Sequence, residues 1–292
     1  MDKLIYFTLN KVSDDVLTGQ AIGKLNHFNA VKDTTKFIVF GSSRANHSLD
    51  PLTFNASSFN NGVDGTTIAY AATLILTLPE DTEQTIILHL EPSRVTDNNY
   101  MGEDVKFLVS KYHRNKMIRK QVNRLNQENA LQSFFWSIDY NSKVLAILKN
   151  YFYPKYDYST YNGFDPITLN QTQKAILKRT LENESMGDQP CSESIAPNKI
   201  YLDYLIKLKD FCSNNNKKFV VFTSPKYSDQ CKKDNEILSN ILDKLKIEYY
   251  DFTDFFGQEN NLEYWRDLKH LSDIGAKLFS EHFAQVLNKM EN

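Results

Sequence analysis

No run of about 18 apolar residues occurs in the 292-residue chain, so no segment has the length of a membrane-spanning helix. Leu4-Ile5-Tyr6-Phe7 is too short for that, or for the core of a signal peptide, and the expectation is a soluble chain. Net charge is lacking as well. Lysine plus arginine, at 34, nearly balances aspartate plus glutamate, at 36, which leaves no overall field favouring nucleic acid or an anionic membrane. Cysteine is scarce, with Cys191, Cys212 and Cys231 alone. An odd count without a CxxC pair suggests free, structural thiols. Glycine, at ten residues, forms no phosphate-binding loop. His27, His113 and His282 have no histidine or cysteine partner at metal-ligand spacing, so neither a zinc site nor a cofactor is expected. No repeat of about 20 to 50 residues is apparent.

What the chain does have is apolar content, 41% of residues, enough to bury a sizeable core. The run 36–41, Lys-Phe-Ile-Val-Phe-Gly, reads as a short strand buried on both faces and stopped by glycine. Similar runs follow at 85–90, 218–223 and 247–252. Helical spacing separates them at 69–78, at 201–212 through Leu202, Leu205, Ile206, Leu208 and Phe211, and at 235–245 through Ile237, Leu238, Ile241, Leu242 and Leu245. Such alternation predicts an α/β fold with helices on both faces of a mainly parallel sheet. The first 35 residues read as an irregular or partly helical lead-in.

A long insertion, about 95 to 200, interrupts this pattern within what reads as a single domain over 1–292, with the core at about 30–95 and 200–290. Its first half is helical in character, and Lys111, Arg114, Lys116, Arg119 and Lys120 read as a solvated face. Residues 151–164 are dense in aromatics and turn formers. Tyr156 and Tyr158 there suit either stacking on a sugar or packing onto the core.

Two short segments carry chemistry. Serine is a weak nucleophile that needs a base, a group to stabilise the charged base, and donors for an oxyanion. Ser43, in Phe40-Gly41-Ser42-Ser43-Arg44-Ala45-Asn46-His47, follows the first core strand across a glycine. That places it at the carboxyl end of the sheet, where open α/β folds bind ligands. Near the other terminus, Trp265-Arg266-Asp267-Leu268-Lys269-His270 puts an acid three residues before a histidine. A helix with Ala276, Phe279, Phe283 and Leu287 on its apolar side follows. This spacing lets Asp267 orient the His270 imidazole, or else makes the segment a helix cap with a surface histidine. Arg44, Asn46 and His47, beside the serine, suit substrate contact or loop stabilisation. His89, inside an apolar strand, reads as a hydrogen-bonded core histidine.

Together these blocks resemble the first and last signatures of the SGNH, or GDSL-like, hydrolase family. The resemblance covers about residues 30–95 and 200–290. It is nearest to an envelope-associated subgroup linked to bacterial surface polysaccharides, through Gly41-Ser42-Ser43-Arg44-Ala45-Asn46-His47, Pro51 and the stretch from Asn60 to Gly65. It implies a three-layer, flavodoxin-like α/β/α sandwich, Ser43 as nucleophile with Asp267 and His270, and Ser43 and Gly65 as oxyanion-hole residues. It further implies esterase or O-acyltransferase activity on acyl groups, O-acetyl above all, of a carbohydrate or acylated small molecule, and possible association with envelope machinery. Location in the cell envelope or periplasm follows by the same resemblance, and in the cytoplasm if Met1 is the natural start. The family's third block departs here: His89-Leu90-Glu91-Pro92 stands where Gly-x-Asn-Asp is usual, so an asparagine donor is missing. A carboxylate does not donate unless protonated. Asn46 or Asn60 would have to serve, and Glu91 joins Arg44, His47, Tyr156 and Tyr158 as a candidate substrate contact. The rival expectation is a carbohydrate-binding or assembly protein of the same fold with weak or no catalysis. A general lipase or thioesterase would need a long apolar groove that the sequence does not display.

Overall fold

The computed structural model describes all residues except 55–56, 184–190, 192–195, 230, 258, 260 and 292, and leaves the side chains of 183, 290 and 291 undescribed. Five parallel strands form the sheet in the order β2-β1-β3-β4-β5: β1 Phe37–Phe40, β2 Ser58–Asn60, β3 Gln84–His89, β4 Lys217–Thr223 and β5 Glu248–Asp251. Every residue of β1 and β3 is buried. Successive side chains alternate between faces. Ile38, Phe40, Ile86 and Leu88 enter one core, and Phe37, Val39 and Ile87 enter the other.

The helices are α1 Asp2–Asp14, α2 Ile22–Val31, α3 Ser43–Ser48, α4 Ile68–Ile75, α5 Pro92–Val95, α6 Lys116–Arg124, α7 Val144–Phe152, α8 Gln171–Asn183, α9 Lys199–Asn214, α10 Lys232–Leu245 and α11 Asp273–Glu291. The first core draws Leu25 and Phe28 from α2, all-buried α4, Leu205 and Leu208 from α9, and Leu238 and Leu242 from α10. The other face is covered by Ala276, Phe279, Phe283 and Leu287 of α11, an i, i+3, i+7, i+11 stripe. The fold is thus α/β with an all-parallel sheet flanked by helices. The strand β2 lies outside the expected set. Three residues are too few for a periodic signal, and β2 exists because β1 supplies its partner, Phe37 to Ser58 through Val39 to Asn60.

The lead-in is more ordered than expected. Helices α1 and α2 join α7 and the Trp136–Tyr140 3₁₀ turn in a third cluster around Tyr6, Val16, Ile22, Tyr140 and Ile147. One residue of the basic stretch is corrected by this: Lys111 is half-buried and binds Asp14 of α1 at 2.6 Å, whereas Arg114, which binds the same carboxylate at 2.6 Å, is exposed, as are Lys116, Arg119 and Lys120. The cysteine expectation is corrected too. Cys191 and Cys231 form a disulfide with Cα atoms 5.2 Å apart, leaving Cys212 as the free, buried thiol. Their separation of 40 residues gave no local sign of pairing.

Candidate functional site

Strand β1 ends at Gly41, whose φ is +148°. A Cβ there would lie 2.7 Å from the His89 Cβ and 2.8 Å from the Ala45 Cβ, so only glycine lets the chain turn beside β3 into α3. The turn presents Ser43 as the first residue of α3. Its Oγ is 2.8 Å from His270 Nε2. The other ring nitrogen, Nδ1, is 3.0 Å from both carboxylate oxygens of Asp267.

The histidine loop is built locally. Buried Trp265 pairs with Leu271, and the Arg266 amide donates to the His270 carbonyl at 2.9 Å. Asp267 accepts from the amides of Lys269 at 2.9 Å and His270 at 3.0 Å, and from Arg266 Nη1 at 3.1 Å. Burial alone would raise the Asp267 pKa. The hydrogen bond and charge of His270, helped by the two amides, overcome it and hold the carboxyl at about 2. A carboxylate fixed in its charged form opposite Nδ1 leaves Nε2 as the nitrogen available to the Ser43 hydroxyl.

Ser43 and His270 open onto a cavity of about 540 Å³ that also touches Gly65, Glu91, Arg94 and Tyr201. This lies within the usual size range of small-molecule sites. Gly65, at φ +75°, belongs to a loop fastened to the end of β1, where the Gly41 carbonyl accepts from the Val63 amide at 2.9 Å and Thr66 Oγ1 at 3.2 Å.

Arg44 and Glu91 reach this cavity but are bound to each other. Arg44 Nη1 donates to Glu91, and its Nη2 donates to the carbonyls of Ser224 at 2.6 Å and Pro225 at 3.0 Å. Lys226 Nζ adds a second cation 2.9 Å from Glu91. Burial pushes the Glu91 pKa up, yet Arg44 and Lys226 outweigh it and hold the carboxyl at about 2. Glu91 is therefore an acceptor saturated by cations. His89 is buried with Nε2 3.1 Å from Ser224 Oγ. Burial, reinforced by the Arg44 charge, lowers its pKa to about 3, so this ring stays neutral at the cavity wall.

Neither asparagine reaches the cavity. Asn60 Nδ2 donates to the carbonyls of Ala45 at 2.9 Å and Leu49 at 2.7 Å, and its Oδ1 accepts from the Gly62 amide at 2.8 Å. Asn46 accepts from Lys24 and donates to Asp64 at 2.9 Å. Both hold α3 against the neighbouring loop. His47 stands edge-on to His270 with ring centroids 6.1 Å apart, but its own nitrogens face Asp64 and the Asp165 carbonyl. Tyr156 donates to the Asp165 carboxylate and stacks on Tyr161, while Tyr158 packs on His27 with centroids 4.5 Å apart. Of the two readings for this aromatic loop, these contacts are packing contacts.

Lys24 was invisible as a site residue. It is fully buried in α2, and its ammonium donates to Asn46 Oδ1 and the Gly62 carbonyl. It thus ties the Ser43 helix to the loop that carries Gly65. Burial lowers its pKa to about 7, against the raising influence of Asp165 and Asp64. A lysine inside the buried run Ile22–Phe28 was the available hint.

Among the described residues no group of three or more His, Cys, Asp and Glu is placed to hold a metal ion. Compared with family models and with curated proteins, the chain matches none.

Proposed function

We propose that the chain is an SGNH-type serine esterase or O-acyltransferase acting on acyl groups, O-acetyl foremost, of a carbohydrate such as a surface polysaccharide. The observation that carries this reading is the continuous contact from Ser43 Oγ to His270 Nε2 and from His270 Nδ1 to Asp267. In the proposed reaction His270 takes the Ser43 proton as Oγ attacks the acyl carbon, and Asp267 stabilises the imidazolium. The Ser43 and Gly65 amides receive the oxyanion. His270 then returns the proton to the departing sugar oxygen. Water resolves the acyl-enzyme in an esterase, and a second sugar hydroxyl resolves it in a transferase.

The polar groups around the cavity, Arg94, Asp97, Tyr201, Asp234 and Lys269 among them, favour a hydroxylated substrate over a long acyl chain. A missing asparagine donor costs about 2.7–4 kcal/mol of transition-state stabilisation. The charge-saturated Glu91 gives specific support to the second reading, a carbohydrate-binding or assembly protein with little catalysis. Hydrolysis of p-nitrophenyl acetate and labelling by a serine-reactive phosphonate separate the two. The enzyme reading expects both in the wild type and neither in Ser43→Ala. Equal hydrolysis by the two proteins, or a wild type that takes no label, would sink it.

A further inference from the structure

Among the described residues, the lysine, arginine and acid side chains lining the cavity beside Ser43 are Arg44, Glu91, Arg94, Asp97, Asp234 and Lys269. Four of them are matched in pairs: Arg44 binds Glu91, and Arg94 Nη1 lies 3.3 Å from Asp97. Lys269 is exposed, so water can solvate its ammonium. Asp234 has no such outlet. It is 4% exposed, its Oδ1 is buried without a hydrogen-bond partner, and its side chain forms no ion pair or hydrogen bond among the described residues. Two other acids with an unmatched buried oxygen, Asp139 and Asp229, have the second oxygen bound to Gln132 at 2.8 Å and to Lys226 at 3.4 Å. Asp234 has neither compensation, and of these three acids it alone lines the cavity.

Burying a carboxylate without donors is costly. Asp234 sits in the first turn of α10, where the helix end favours negative charge, but that placement gives its oxygens no donor. The turn itself is held on every side. Cys231 is tied to Cys191, Lys232 Nζ is 2.6 Å from Asp254, and Asn235 Nδ2 donates to Asp251 at 2.7 Å and to Thr253 Oγ1 at 2.8 Å. Helix α10 packs against α5, whose Ser93 and Arg94 also line the cavity. Asp234 is therefore a firmly supported acceptor at the wall of the Ser43 cavity, the arrangement a binding residue needs. A hydroxyl supplies the missing donor without adding charge, and neighbouring hydroxyls of one sugar ring can serve both carboxylate oxygens.

We propose that Asp234 accepts hydroxyl protons from the glycan and so fixes the sugar ring whose acyl group meets Ser43. This rests on the esterase or transferase reading above, and two measurements keep the two apart. The first compares wild type and Asp234→Ala on p-nitrophenyl acetate, which has no hydroxyl to donate, and on mono-O-acetylated methyl glucoside. Asp234→Ala removes no hydrogen bond of the fold and should keep the native circular dichroism spectrum. Its kcat/KM on the sugar ester, relative to that on p-nitrophenyl acetate, should fall by about tenfold to a hundredfold, the worth of a hydrogen bond to a charged group. Asp234→Asn keeps an acceptor oxygen and should lose less. The second measurement is calorimetry of methyl glucoside with Ser43→Ala and with Ser43→Ala/Asp234→Ala, which reads the same contact without chemistry and should show binding in the first alone. A wild type inactive on both esters sinks the Ser43 reading and leaves the calorimetry to decide on Asp234. An unchanged ratio between the two esters, or calorimetry showing no binding to Ser43→Ala or binding that survives the loss of Asp234, would overturn the proposal. Protonated methyl glucosaminide bound more tightly than methyl glucoside, with the preference lost in Asp234→Ala, would overturn it in favour of an ammonium ligand.

Discussion

Replacing Glu91 by glutamine keeps the shape of the side chain and removes one charge from a nearly buried cluster. Arg44 and Glu91 side chains are 5% and 22% exposed, and Lys226 is the third member. The native Glu91 pKa is about 2 against an ordinary 4.5. That difference corresponds to ~3 kcal/mol of stability at neutral pH. Removing one partner of a buried ion pair costs a similar ~3–5 kcal/mol, because the remaining charge stays uncompensated. Folding depresses this pKa, so the stabilisation is complete above pH 4.5 and fades as pH falls toward 2. Urea unfolding of the wild type and Glu91→Gln should therefore differ by ~3 kcal/mol at pH 7, and the gap should close across that acidic window. A difference below about 1 kcal/mol at pH 7, or one that persists undiminished to about pH 2, would refute the idea that Arg44 and Lys226 hold a charged Glu91.

Asp267→Asn should leave the fold intact and lower kcat on p-nitrophenyl acetate by about 10⁴-fold, since an amide favours the wrong histidine tautomer; steady-state kinetics would show it. Lys24→Met should alter the pH dependence of stability on the alkaline side. Folding lowers the Lys24 pKa to about 7, so wild-type stability should gain a contribution as pH rises from 7 toward 10.5 while Asp64, Asp165 and Lys155 remain charged, and urea titrations of the variant should lack that rise. Cys191→Ser/Cys231→Ser opens a link that closes a 40-residue separation, and the chain-entropy relation gives ~4 kcal/mol for its loss; denaturant midpoints read the result.

The parts of the site legible in the sequence were those encoded within a few residues. Gly41 ends a buried strand, and Asp267 and His270 share one tight loop, so their chemistry survives in local spacing. The α/β class was legible for the same reason: β1, β3 and β4 are apolar runs set among helical patterns, and β5 is a half-buried Tyr249-Tyr250 pair between two acids that follows the helical pattern of α10. The ion cluster was not, because Arg44, Glu91 and Lys226 come from three separate strand ends and meet across β1, β3 and β4 in the sheet. A glutamate in place of an expected donor looked like a substrate contact while its cations were out of view. Likewise, Asn46 and Asn60 have the right chemistry for an oxyanion donor. Their amides are spent on carbonyls and a carboxylate that only folding brings near.

The lead-in shows how far such non-local encoding reaches. A lysine within the run 22–28 was its single hint of a link to the site, and α2 delivers Lys24 beneath both Asn46 and the Gly62 carbonyl. Burying an ammonium costs several kcal/mol unless its hydrogen bonds are supplied. Gly62 admits no larger residue here, since a Cβ would lie 2.6 Å from the Asn46 amide nitrogen. The close approach of these backbones and the lysine beneath them are thus one device: glycine permits the contact and Lys24 fastens it. Ser43 and Gly65, the two residues proposed to share the oxyanion, sit three positions from Asn46 and Gly62 respectively. Lys24 thus adds, from the first 35 residues, a buried tie to those that the Gly41 carbonyl, Asn46 and Asn60 already make between α3 and the loop that carries Gly65.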